Sequence, residues 1–300
     1  MMPGNSNKPD YTLREHRAGS DLPFFACFIA LSGAYILLIV AMLFADATFT
    51  TFEDIGRAFQ SKYIRYSIIL SLVSCTLAAI LSTLVAVPIG YLISRFKFPG
   101  KNLFDGILDV PIVLPPLVIG LSLLILFQTA PGKQLESWFT YAIDILRVNA
   151  LLGWFGVKPI RGITYELPSV ILAQFSVACA FAVRTMRVAF DQIDPRQERV
   201  ALTLGCRRSQ AFFRVVLPEA WPGVITAGTL AWARSMGEFG PILVFSGATR
   251  MKTEVLPTTV FLELSIGDVE AAVAVSLIMV TAAMIVLVVA RMFGLRKAIL

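Results

Sequence analysis

The chain has 300 residues, 57% of them hydrophobic and only 15% charged, with a mean hydropathy of +0.75. A soluble domain carries about 25% charged residues to keep its surface solvated, so this composition excludes an ordinary water-soluble fold and points to the bilayer as solvent. The net charge of +6 fits the same reading: Lys and Arg gather in the cytoplasmic loops of membrane proteins, and no nucleic-acid partner is expected.

Residues 1–22 form a polar N-terminal segment with Lys8, Arg14, Arg17 and the single histidine, His16. The apolar run after it is too long for a signal-peptide core and shows no clear cleavage site. It reads as a retained first helix that opens a transmembrane domain over 23–300. A spanning helix needs about 20 apolar residues. Six stretches qualify: 24–45, 66–93, 104–127, 167–190, 221–246 and 269–292. Backbone polar groups in hydrocarbon must pair within the segment, so these are helices. The ten-residue alternating segments of a β-barrel are missing. The expected fold class is an all-α membrane protein with about six transmembrane helices.

Lys and Arg count 16 on the side of the N-terminus, the second and fourth connections and the C-terminus, against 9 on the other. This bias predicts both termini in the cytoplasm. The longest outer connection, 131–166, contains Leu135–Leu152, which can lie on the membrane surface as an amphipathic helix. The four cysteines are scattered without CxxC spacing, so no metal site or disulfide framework is expected.

In the third stretch, Pro111, Pro115 and Pro116 each remove a backbone donor and predict a bend. A bend beside a central path suits gating, and it also serves plain packing; the sequence leaves both open. At the cytoplasmic end of that helix Lys101, Asp105 and Asp109 form an i, i+4, i+8 stripe, read as paired anchoring.

The fourth connection, 191–218, reads DQIDPRQERVALTLGCRRSQAFFRVVLP. Asp194 followed by Pro195 is a helix start, and Gln197 stands at capping-box spacing from Asp194. Val200, Ala201 and Leu204 share a face, and Gly205 is placed to end the helix in a left-handed turn. A second helix is predicted from Ser209 to Val216, carrying Phe212, Phe213 and Val216, with Pro218 as its stop. The result is a helical elbow across the cytoplasmic face, with apolar knobs that need cover.

This elbow resembles the EAA loop of binding-protein-dependent ABC importer permeases: Glu198, Ala201, Gly205, Leu217 and Pro218 match its pattern, while Arg199 and Val200 depart from it. The similarity runs from about Tyr66 to the C-terminus and includes VPIVLPPLVIGLSLL (110–124) and KTEVLPTTVFLEL (252–264). The run ARSMGEFGPILVFSG (233–247) is most similar to permeases for molybdate, tungstate and sulfate. The resemblance implies a type I importer permease fold in a bacterial or archaeal cell membrane. It also implies that the elbow docks in a groove of ABC ATPase subunits, with Asp194, Pro195, Glu198, Ala201, Gly205, Leu217 and Pro218 as the ATPase-coupling residues. A second permease subunit and an extracytoplasmic solute-binding protein complete the implied assembly. Permeases for phosphate, ferric iron or polyamine are the nearest alternatives.

In the fifth stretch Arg234 and Glu238 lie four residues apart near mid-span. A charge at the bilayer centre costs at least about 2.5–3.5 kcal/mol, so both must pair or face protein or water. Either Arg234 lies on an oxyanion route with Glu238 as its restraint, or the two form a structural pair. Gly237 and Gly240 flank Glu238 and allow close packing or local unwinding near a gate. With Pro115 and Pro116 they complete the candidate path or gate residues. Ala227, Ala231 and Ser235 form a small-residue stripe suited to helix approach within or between subunits.

Gly100-Lys101 and Gly132-Lys133 lack the rest of a P-loop. The chain is therefore expected not to be an enzyme and to hold no cofactor, with ATP and Mg²⁺ bound by the partner ATPase. An ion-coupled secondary transporter would need structural repeats and a chain of intramembrane acids. An intramembrane hydrolase would need a nucleophile–base pair or metal ligands. Neither set is present in the sequence.

Overall fold

The computed structural model describes residues 22–145 and 159–298. The polar N-terminal segment 1–21 and the second half of the expected surface helix, from 146 on, lie outside the described residues. The chain divides into two compact units, Met1–Thr48 and Phe49–Leu300. Among the described residues the first unit consists of α1 (Leu22–Phe49), a helix of 28 residues without a polar face whose last residue belongs to the second unit.

The second unit begins with α2 (Phe52–Gln60), where the sequence suggested only a polar connection. Thr51 and Asp54 close a reciprocal capping box: the Thr51 N–H donates to Asp54 Oδ2 at 2.9 Å, and the Asp54 N–H donates to Thr51 Oγ1 at 3.3 Å.

The frame of this unit is α3 (Lys62–Arg95) packed on α7 (Leu167–Asp191). At 34 residues α3 is about 51 Å long, more than a bilayer core requires. Its buried stripe is small throughout: Ser67, Ser71, Ser74, Ala78, Ser82, Ala86 and Gly90 recur at three- and four-residue spacing. α3 packs along α7, whose own buried residues include Val170, Ala173, Val177, Ala182 and Met186. Lipid tails are as apolar as leucine, so association depends on close contact, and small residues permit it. At Gly90 a Cβ would stand 2.8 Å from Met186 Cβ and 3.0 Å from the Arg187 nitrogen.

The third apolar stretch is two helices, α4 (Lys101–Val113) and α5 (Pro116–Gln128), meeting at 110°. The expected bend is thus a break. Leu114 and Pro115 are extended, at ψ 140° and 134°, because a residue before proline is pushed out of the helical region. Pro111 sits inside α4 and does not end it. The following helix, α6 (Ala130–Ile145), starts before the expected Leu135. Its Glu136 Oε1 accepts the N–H groups of Ile163 at 2.7 Å and Thr164 at 3.0 Å, fixing the approach to α7.

After α7 come α8 (Pro195–Thr203), α9 (Arg208–Ala211), a π-helical turn over Phe212–Val216, and α10 (Leu217–Glu219). The fifth stretch is also broken, into α11 (Trp221–Met236) and α12 (Gly240–Phe245). The chain closes with α13 (Leu256–Ser265) and α14 (Val269–Ala298). Among the described residues there is no strand. Among the described residues four helices (α1, α3, α7 and α14) are long and apolar enough to cross a membrane singly, or there are five spans if α4 and α5 count as one. Six single helices were expected; prolines and the Gly237 break divide two of them.

At the end of α7 opposite the elbow, the segment 247–256 straps across the bundle. Lys252 Nζ pairs with Glu166 at 2.8 Å, the Tyr66 hydroxyl donates to the Lys252 carbonyl at 3.1 Å, and the Leu256 N–H donates to Ser71 Oγ at 2.8 Å. Glu254 is fully buried within the strap, accepting from Thr259 Oγ1 at 3.2 Å. Burial holds its carboxyl above the usual glutamate range.

Candidate functional site

Two constellations are built from the sequence-predicted residues, one at each level of the bundle. The first is the elbow. Asp194 caps α8 and accepts the Arg196 N–H at 2.9 Å, with Pro195 at the first helical position. Gln197 does not close a capping box. Its Nε2 donates instead to Glu219 Oε1 at 3.0 Å and ties α8 to the second arm. Gly205 takes φ +90°. The Cys206 N–H donates to the Ala201 carbonyl and the Gly205 N–H to that of Leu202, both at 3.1 Å, which is the Schellman pairing. A Cβ at position 205 would meet nothing within 4 Å, so glycine is needed there only for the sign of φ.

The second arm departs from expectation, because Pro218 does not stop it. The Leu217 N–H reaches five residues back to Phe212, and the chain runs through α10 into α11. A proline ring collides with the carbonyl four residues earlier and offers that carbonyl no donor. The widened π turn before Pro218 makes room for the ring. Leu217 is half-buried and Pro218 exposed.

The apolar knobs divide between two faces. Ala201 and Val216 are buried, and Phe212 packs on the core. Val200, Leu204 and Phe213 are 56%, 80% and 64% exposed. Glu198 turns inward. Its Oε1 accepts the Tyr91 hydroxyl at 2.5 Å, and its Oε2 stands 3.5 Å from Arg95 Nε. Arg95 also donates through Nη2 to the Ile193 carbonyl at 2.9 Å. Sequence reasoning missed Tyr91 and Arg95; two polar groups at i, i+4 on the last turns of a long apolar helix were the available signal.

The second constellation is a cavity of about 310 Å³ where α5 begins and α11 gives way to α12. Pro115, Pro116, Arg234, Gly237, Glu238 and Gly240 all line it, joined by Leu117 and Phe239. Arg234 Nη1 stands 2.5 Å from Glu238 Oε1, with Glu238 1% and Arg234 31% exposed. The guanidinium carbon also lies 5.5 Å from the centre of the Phe181 ring. A Cβ on Gly240 would lie 3.0 Å from the Leu117 nitrogen, so Gly240 is a close-packing residue. Gly237 ends α11 at φ −87°, and a Cβ there would meet only the Arg234 carbonyl oxygen, at 3.9 Å, so neither room nor backbone sign demands glycine there. The break is served by Gln174 of α7, which the sequence did not single out. Its Nε2 lies 3.4 Å from the Ser235 carbonyl, which also accepts the Glu238 N–H at 3.2 Å.

Ala227, Ala231 and Ser235 are fully buried inside the chain, so their stripe serves internal packing. The acidic stripe of α4 pairs across to α7: Asp109 with Arg184 at 2.7 Å and Asp105 with Arg187 at 3.0 Å. Lys101 Nζ donates to the Ile93 carbonyl at 2.5 Å, away from its own stripe. The anchoring is therefore between helices rather than along one.

The chain is similar in sequence and in fold to known transport permeases. The sulfate transport system permease protein CysT of Salmonella typhimurium is 30% identical over 217 residues, 72% of each chain. The molybdenum transport system permease protein ModB of Escherichia coli is 32% identical over 197 residues, covering 65% of this chain and 77% of its own. The permease fold is shared with a bacterial alginate ABC transporter solved in complex with an alginate-pentasaccharide-bound periplasmic protein. That match has a TM-score of 0.68 at 17% identity and covers 92% of this chain and 95% of the other. Residues 86–298 match the family described as binding-protein-dependent transport system inner membrane component, and the chain belongs to that family.

Proposed function

We propose that this chain is the membrane-spanning subunit of an ATP-driven importer that moves a tetrahedral oxyanion (sulfate, molybdate or tungstate) into the cytoplasm. The anion is delivered by an extracytoplasmic binding protein, and ATP and Mg²⁺ are bound by separate ATPase subunits. The observation that carries the reading is the elbow: a helix capped at both ends, with Val200 and Leu204 exposed on it and Phe213 exposed on the second arm. A rigid, capped helix transmits a partner's motion where a loose loop would absorb it, and exposed apolar groups mark a contact surface. Asp194, Pro195, Gly205, Leu217 and Pro218 act by shaping that elbow.

With the positive-inside orientation, the elbow and both termini face the cytoplasm. A second permease subunit completes the central path. The cavity at Pro115, Pro116, Gly237 and Gly240 forms a gate on it, because two broken helices meet there and can re-angle without crossing a continuous backbone ladder. Arg234 is the cation on the route, and Glu238 balances it so that the anion passes on rather than being retained. The sulfate and molybdenum permease relatives favour the oxyanion class.

The test is reconstitution of this chain with its candidate ATPase and binding protein in proteoliposomes, measuring uptake of each anion. Uptake that needs ATP and every component supports the reading. Uptake without the ATPase, driven by an ion gradient, rejects it in favour of a secondary transporter.

A further inference from the structure

The inward turn of Glu198 has a consequence for how the elbow moves. Within α8 only Glu198, Ala201 and Leu202 are drawn toward the protein; the other side chains of the helix are exposed. Of these three, Glu198 alone makes a polar contact with another long helix. Its carboxylate takes the Tyr91 hydroxyl at 2.5 Å and faces Arg95 at 3.5 Å, with the side chains of Arg95 and Glu198 only 8% and 13% exposed. Arg95 holds the Ile193 carbonyl at 2.9 Å, just before the α8 cap, so the elbow is gripped at two points by the last turns of α3. The Tyr91 ring is itself wedged among Phe212, Phe190 and Phe96, with centroids 4.7, 5.7 and 6.0 Å away. A charge-assisted hydrogen bond between partly buried side chains, on a tyrosine whose ring packs against three phenylalanines, holds direction as well as distance.

We infer that Tyr91 and Arg95 are positioning residues that lock the elbow to α3 through Glu198, so that elbow, α3 and α7 move as one body. Glu198 is then committed inside the chain, and the ATPase contact falls to Val200, Leu204 and Phe213. The inference rests on the importer reading above.

It is tested in the reconstituted importer by measuring anion imported per ATP hydrolysed, together with co-purification of the ATPase. Tyr91→Phe keeps the ring and removes the hydroxyl. It should lower import per ATP about fivefold or more while leaving co-purification unchanged, and Glu198→Gln should do the same. The double variant should be no worse than either single one, as expected of two groups serving one linkage. A cleavable thiol crosslink between Tyr91→Cys and Glu198→Cys should raise import per ATP, and cleavage should remove the gain.

Unchanged import per ATP in Tyr91→Phe, beside a wild type that does couple, overturns the lock and leaves the importer reading standing. So does loss of ATPase co-purification in Glu198→Gln, which would make Glu198 a partner contact. A crosslink that stops import shows that elbow and α3 must separate, and overturns it too. Wild-type uptake that ignores the ATPase rejects the importer reading and the lock together.

Discussion

The elbow and the cavity at the helix breaks are built on opposite principles. The elbow is assembled from residues within one stretch of 25: a capping aspartate, a first-turn proline, a left-handed glycine and a π turn ahead of a second proline. The cavity joins the start of α5 to the α11–α12 break, with lining residues more than a hundred positions apart, and draws on Gln174 from a fourth helix. The elbow should therefore lose stability in small local increments. The cavity should lose more at a single step, because its buried Glu238 depends on Arg234 for its counter-charge.

The largest effect is expected at the ion pair. Arg234→Met strands Glu238, 1% exposed, without its counter-charge, and breaking such a buried pair costs about 3–5 kcal/mol. Arg234→Met combined with Glu238→Leu should recover most of that loss in thermal unfolding of the purified protein. A double variant as unstable as the single one would show that the pair is not the source of the cost. Next comes Gly120→Leu, because a Cβ at that position would stand 2.7 Å from Pro241 Cα. Overpacking there should cost about 1–3 kcal/mol, read as a lowered midpoint and reduced monodispersity. A Gly237→Ala change, with room for a Cβ and an ordinary φ, should leave both readouts near wild type.

Elbow substitutions should be milder for stability. Gly205→Ala must place a Cβ at φ +90°, at a cost of about 1–2 kcal/mol, and Asp194→Ala removes a cap worth about 1 kcal/mol. If either matched Arg234→Met in thermal cost, the contrast between the two regions would fail.

The smallest expected effect is a pH dependence at the strap. Burial raises the folded pKa of Glu254 above its ordinary 4.5. Below about that value both folded and unfolded forms hold the proton and no penalty exists. As pH rises through it, the unfolded chain releases the proton first and stability falls, until pH passes the folded value. Glu254→Gln should flatten this decline in unfolding midpoints across pH 4–8. A parallel decline in wild type and variant would assign it to other groups.

Much of the elbow was legible in the sequence because caps and glycine turns are local chemistry. Where that reading failed, a longer-range partner had intervened: Gln197 bonds Glu219 rather than its own cap, and Pro218 is absorbed by a turn widened five residues upstream. At the cavity the residue types were legible from cost alone, since Arg and Glu in an apolar run need a reason. Their convergence with Pro115, Pro116 and Gly240 was not, because no periodicity links residue 116 to residue 240.

Composition and backbone satisfaction in a bilayer leave few choices, so the class of solvent, the helical state of the apolar runs and the family are legible from the residues alone. Which runs stay whole depends on long-range packing. Small stripes let α3 and α7 pack as unbroken helices, whereas Pro115-Pro116 and the Ser235–Gly240 break are stable as discontinuities because each packs against the other. The tertiary structure likewise turned Glu198 inward, because a carboxylate goes to the strongest donors within reach, and the Tyr91 hydroxyl and the Arg95 guanidinium arrive from a helix about a hundred residues away.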